Sequence, residues 1–107
     1  MKSLLILCGL LFSLNALAAP VIIDVRSPEE FAQKHLSGAI NLPHDHITET
    51  IGTAIKDKNA DIVLYCRSGR RAGLAQEALQ KQGYTRVKNL GGMEAAEKTL
   101  QCQDKAC

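Results

Sequence analysis

Tryptophan is absent from this chain, and only four aromatic side chains occur: Phe12, Phe31, Tyr65 and Tyr84. So few rings give no stacking platform for bases. The formal net charge is only +2, and no long basic or acidic run is present. Neither feature points to nucleic acid as a partner. No apolar run reaches the roughly 20 residues that a membrane-spanning helix needs. The longest candidate, Leu4 to Leu14, is about half that length. No internal repeat or low-complexity segment appears.

That short apolar run has a different meaning. Lys2 precedes it, and Asn15-Ala16-Leu17-Ala18-Ala19-Pro20 follows it. A basic start, a short apolar core and an Ala-x-Ala site describe a secretory signal peptide over residues 1–18. Cleavage is expected after Ala18, with Ala19 as the near alternative. Cys8 is preceded by Leu7 and lies inside the apolar core, which argues against a lipoprotein. The expected location is the periplasm, with no stable membrane insertion after cleavage. The remaining chain of about 90 residues is near the lower size for one self-sufficient core.

Four cysteines occur, and cleavage would leave Cys66, Cys102 and Cys107. An exported protein meets an oxidising compartment, and an odd count implies one free thiol. Cys102 and Cys107 are close enough in sequence to form a disulfide. One of them could instead act as a resolving thiol for Cys66.

Val21-Ile22-Ile23-Asp24-Val25 is rich in β-branched residues and predicts a buried strand. Ser27 can cap a helix that has Pro28 at its first position and Glu30 in a capping box. That helix is expected to run to about His35, with Gly38 breaking it. Gly38 to Pro43 predicts an extended segment. Ile47, Ile51, Ala54 and Ile55 recur at helical spacing. Asp61 to Tyr65 predicts a central strand, apolar enough to be covered on both faces. Ala72, Ala75, Ala78 and Leu79 form a small-residue stripe on the next helix, and Gly83 is its natural stop. Arg86 to Leu90 predicts another strand, and Gly91-Gly92 the start of a last helix through about Leu100. Strands alternating with helices predict an α/β domain with a mostly parallel sheet.

Cys66-Arg67-Ser68-Gly69-Arg70-Arg71 falls between the central strand and the helix after it. Free N–H groups at a helix N-terminus favour negative charge, and three arginines add to that field. A thiol there ionises more easily, and the thiolate is the nucleophile. The same turn can hold an anion. Ligands on such sheets bind at the carboxyl ends of strands. Arg67, Arg70 and Arg71 are candidates for contact with an anion, and Ser68 is expected to support the loop by hydrogen bonding. Asp24 and Arg26, at the end of the first strand, either order this loop or form an ordinary structural pair; the second is favoured. His35 is expected to fix the turn before Gly38. His44, Asp45 and His46 lack a fourth ligand elsewhere, so no metal is assigned.

These residues resemble the rhodanese family. Asp24-Val25-Arg26-Ser27-Pro28-Glu29-Glu30-Phe31 and His35-Leu36-Ser37-Gly38-Ala39-Ile40-Asn41-Leu42-Pro43 are similar to its two signatures. The cysteine hexapeptide resembles its active loop, and Asn89-Leu90-Gly91-Gly92-Met93 the motif near its end. The match spans residues 20–101, leaving 102–107 as a tail outside the pattern. Lys34 stands where the family often has glycine, and Met93 where tryptophan is common. The resemblance implies a single α/β domain and a thiosulfate sulfurtransferase with Cys66 as sulfur carrier. Loop residues Arg67, Ser68, Gly69, Arg70 and Arg71 would cradle the sulfur and its anionic donor. The implied partners are a small sulfur donor and a cyanide or thiol acceptor, with no cofactor and a monomeric chain.

Two other chemistries use a comparable cysteine. Phosphatases and arsenate reductases place an arginine after Cys and five residues; that position here is Ala72, and Arg71 falls one residue early. The tighter loop suits sulfur on the cysteine better than a tetrahedral phosphate beside it. Thiol redox work would instead pair Cys66 with Cys102 or Cys107. Non-catalytic rhodanese-like modules lack the cysteine, which this chain keeps.

Overall fold

The computed structural model describes residues 19–105. Residues 1–18, where a signal peptide is expected, lie outside them. The described elements are β1 (Val21–Asp24), α1 (Pro28–Gln33), β2 (Ile40–Asn41), α2 (Ile47–Ala54), β3 (Ile62–Cys66), α3 (Arg70–Lys81), β4 (Val87–Gly92) and α4 (Met93–Lys105). The four strands are parallel, in the order β2-β1-β3-β4. The chain steps from β1 to one side and then crosses to the other for β3. The junction of β1 and β3 is therefore the point where strand order reverses. Parallel sheets place their binding crevice there, outside the carboxyl ends.

Every residue of β3 is buried. Ile62, Leu64 and Cys66 pack with Ile47, Ile51, Ala72, Ala75 and Leu79 from α2 and α3. Tyr65 points to the other face, with Ala96 and the partly buried Met93 and Leu100 of α4. Helices on both faces explain why the strand has no polar alternation. The alanine stripe of α3 buries Ala72 and Ala75, which lets that helix sit close to the strands.

Helix α1 buries no side chain. Its first turn is held by the full capping box: Glu30 N–H donates to Ser27 Oγ at 3.2 Å, and Ser27 N–H donates to Glu30 Oε1 at 3.0 Å. Pro28 occupies the first turn as the sequence implies. The helix stops at Gln33, short of His35, whose Nδ1 lies 2.8 Å from the Phe31 carbonyl and whose ring stacks on Phe31.

The carboxyl end of the chain departs from expectation in two places. Gly91 and Gly92 end β4 rather than begin α4, because Gly92 pairs with Cys66 across the sheet. Helix α4 runs past Leu100 to Lys105; no glycine or proline interrupts that stretch. Residues 102–105 of the expected tail are therefore helical. No helix among the described residues is long and apolar enough to cross a membrane.

Candidate active site

Cys66 closes β3, and after three intervening residues the chain enters α3. Between them the backbone must reverse tightly enough to aim its N–H groups back at the sulfur. Gly69 makes this possible with φ of 97°, in the left-handed region that side chains disfavour. Its N–H donates to Cys66 Sγ at 3.0 Å. Burial pushes the Cys66 thiol up, but the N–H groups of Ala72, Ser68, Gly69 and Arg71 outweigh burial and hold it below the ordinary thiol value. The ring of amides at the start of α3 thus favours the thiolate. Cys66 is buried and its thiol is free. Cys102 is disulfide-bonded and Cys66 is free, so the two do not bridge one another; the expected partner Cys107 lies outside the described residues.

The far wall of the loop is the end of β4. Asn89 Nδ2 donates to the Gly69 carbonyl at 2.9 Å, while Asn89 Oδ1 accepts from Gly91 N–H at 2.8 Å. Gly92 lies against the loop so closely that a Cβ there would overlap the Arg67 carbonyl oxygen. Gly92→Ala is therefore expected to displace the loop. It should cost about 1–3 kcal/mol of stability, as overpacking does. It should also return the alkylation pH profile of Cys66 toward that of an ordinary thiol. An unchanged profile would show that the loop tolerates the methyl group.

The three loop arginines do not share one environment. Arg67 and Arg70 are exposed, while Arg71 is half-buried. Arg67 lines a cleft of about 510 Å³ with Arg26, Glu30, Lys34 and α4 residues including Glu94 and Glu97. Arg71 lines a second cleft of about 390 Å³ with Ser27, Pro28, His44 and His46. The Arg71 guanidinium grips Glu30 with two hydrogen bonds, Nη1 to Oε1 at 2.8 Å and Nη2 to Oε2 at 3.1 Å. Its backbone N–H still serves the cysteine. Ser68 is exposed, and its contribution at the sulfur is its backbone N–H.

Asp24 and Arg26 form a buried pair beneath the site. Arg26 Nη2 donates to Asp24 Oδ2 at 2.7 Å and Nε to Oδ1 at 3.0 Å. Nη2 also reaches the Lys34 carbonyl at 2.5 Å. Asn41 Nδ2 donates to the carbonyls of Asp24 and Arg26, each at 3.0 Å. The pair thereby fastens β1, α1 and β2 together at one end of the sheet. The Tyr65 phenol, which accepts from Leu36 N–H at 3.0 Å, is pushed up to about 12 by burial and the Asp24 carboxylate. It stays neutral at any physiological pH.

His46 is exposed, with Asp45 at 3.9 Å and Glu49 at 3.4 Å. No three His, Cys, Asp or Glu side chains among the described residues converge on a metal position. The Glu30–Arg71 pair and the Asn89 clamp were not foreseen as parts of the site. Asn89 and Gly91 both stand in the Asn89–Met93 motif, but their spacing alone does not say which loop they touch.

Known proteins resemble this chain in both sequence and fold. The model of the rhodanese-like domain matches residues 13–99. The chain is 46% identical over 93 residues to thiosulfate sulfurtransferase PspE of Escherichia coli K12, covering 87% of this chain and 89% of that protein. Among solved structures, a rhodanese with anions from E. coli superposes with a TM-score of 0.69 at 47% identity, over 72% of this chain and 91% of that one. The human single-domain sulfurtransferase TSTD1 superposes with a TM-score of 0.63 at 25% identity, over 87% of this chain and 91% of that one. With a matching domain model across most of its length, and a fold and active loop to go with it, the chain belongs to the rhodanese family.

Proposed function

We infer that this chain is a thiosulfate sulfurtransferase that carries the transferred sulfur as a persulfide on Cys66. The observation that carries the reading is the free, buried thiol at the focus of four backbone N–H groups. A thiolate held there attacks the outer sulfur of thiosulfate. The Cys66 S–S bond forms as the S–S bond of thiosulfate breaks, and sulfite leaves with the electron pair. The amides that favour the thiolate then face the negative terminal sulfur of the persulfide. A nucleophilic acceptor, cyanide or a thiol, attacks that terminal sulfur and returns the Cys66 thiolate. Two half-reactions through a covalent intermediate give ping-pong kinetics.

The donor is anionic, and the exposed Arg67 and Arg70 supply a positive rim to draw it in. The signal-peptide pattern of residues 1–18 supports action in the periplasm. The chemistry requires no cofactor, and the chain is read as a monomer.

The phosphatase reading loses on loop length. Ala72, where the phosphatase pattern needs an arginine, is fully buried in the core. Thiosulfate:cyanide transfer measured beside aryl phosphate hydrolysis separates the two: sulfur transfer without phosphate release is expected. Phosphate release without sulfur transfer would overturn the assignment.

A further inference from the structure

The Glu30–Arg71 pair joins elements 41 residues apart in sequence. Glu30 is in the first turn of α1, and Arg71 is in the first turn of α3. Both side chains are about three-quarters buried, at 25% and 23% exposure. The pair stands between the two clefts, for Glu30 lines one and Arg71 the other. Arg67 and Arg70 make no ion pair with any described residue. Arg71 alone of the loop arginines is already matched to a carboxylate. Its guanidinium is nonetheless near enough to feel the charge of the Cys66 thiolate.

Glu30 is equipped to lose this partner without being stranded. Its Oε1 also accepts from Ser27 N–H at 3.0 Å and from Ser27 Oγ at 3.1 Å. If the guanidinium turned away, the carboxylate would keep both bonds and face the open cleft. The same contacts, with the Arg71 bond the strongest of them, hold the Glu30 carboxyl down to about 2. Glu30 is therefore charged throughout the neutral and mildly acidic range, and its claim on Arg71 persists there.

We propose that Glu30 is a positioning residue that competes for Arg71 with the anion bound at the Cys66 loop. Arg71 swings toward the arriving donor, and its recapture by Glu30 helps sulfite depart. The proposal rests on the sulfur-transfer reading above. Without such a counterweight, three arginines and an amide ring would hold the product as firmly as the substrate. Slow release of a tightly held product limits turnover.

Glu30→Gln tests this, because glutamine also completes a capping box and the helix start is retained. Sulfate serves as an unreactive anion, with binding to the unmodified thiol form followed by calorimetry. Its Kd should fall about 2- to 5-fold, the scale set by a part-exposed ion pair. The thiosulfate KM should fall with it and kcat should not rise. In an Arg71→Gln background, Glu30→Gln should leave the sulfate Kd nearly unchanged. Unchanged or weaker sulfate binding in Glu30→Gln would overturn the proposal. An equal gain in the Arg71→Gln background would also overturn it, by showing a general charge effect. Sulfate binding requires no persulfide. A chain that shows the shift but takes no sulfur from thiosulfate would therefore fail the functional reading alone.

Discussion

Cys66→Ser is expected to lower sulfur transfer by more than about a thousandfold, roughly 4 kcal/mol of transition-state stabilisation. The serine hydroxyl can still accept from the Gly69 N–H, which now meets the Cys66 sulfur at 3.0 Å. What it cannot do is ionise: the amides that draw the thiol below its usual value start from a group that is already weakly acidic. A hydroxyl lies far beyond their reach, so the nucleophile is lost while the cradle remains. The fold should be little affected. Cys66 belongs to the main core cluster with Ala72, and serine changes only its sulfur, to a smaller oxygen. A melting temperature close to the parent's, with activity gone, is the expected pair of results. Activity within tenfold of the parent's would place the chemistry elsewhere.

Asp24→Ala is expected to have the opposite signature, a large loss of stability. The Asp24 carboxylate is fully buried, and the Arg26 guanidinium that it neutralises is 7% exposed. Removing one member of such a pair leaves the other charge buried and alone, which costs about 3–5 kcal/mol. A domain of this size has about 5–15 kcal/mol in total, so the variant should be close to unfolding. Urea denaturation gives the value directly. The loss also spreads to the site. Arg26 ties Asp24 to the Lys34 carbonyl beyond α1, and α1 carries Glu30. Replacing Asp24 and Arg26 together by apolar residues should cost less than Asp24→Ala, because no charge is stranded. A loss below about 1 kcal/mol for Asp24→Ala would mean that water reaches and screens the pair.

The parts of this fold that were legible in the sequence are those fixed by near neighbours. The capping box needs only Ser27 and Glu30, three apart, and both bonds are present. The apolar run ending at Cys66 announces a strand covered on both faces, and all of it is buried. The thiol at a strand end before a helix follows from the same local pattern. Gly91-Gly92 was harder, because glycine pairs mark a helix start or a close approach equally well. Only the register, with Gly92 opposite Cys66, shows that the space above Gly92 belongs to the Arg67 carbonyl. The direction of the Arg71 guanidinium could not be read at all. Its partner is chosen by strand order, which sets β1 beside β3 and so brings the first turns of α1 and α3 together. The same residue's N–H does follow from local sequence, since any residue at the start of α3 would offer one.

The most direct measurement of the central claim is the intact mass of the protein after exposure to thiosulfate and removal of excess reagent. One added sulfur atom is expected on the parent chain, lost again on addition of cyanide and absent from Cys66→Ser. A parent chain that turns over thiosulfate with no added mass, or Cys66→Ser that still gains the sulfur, would contradict a persulfide on Cys66.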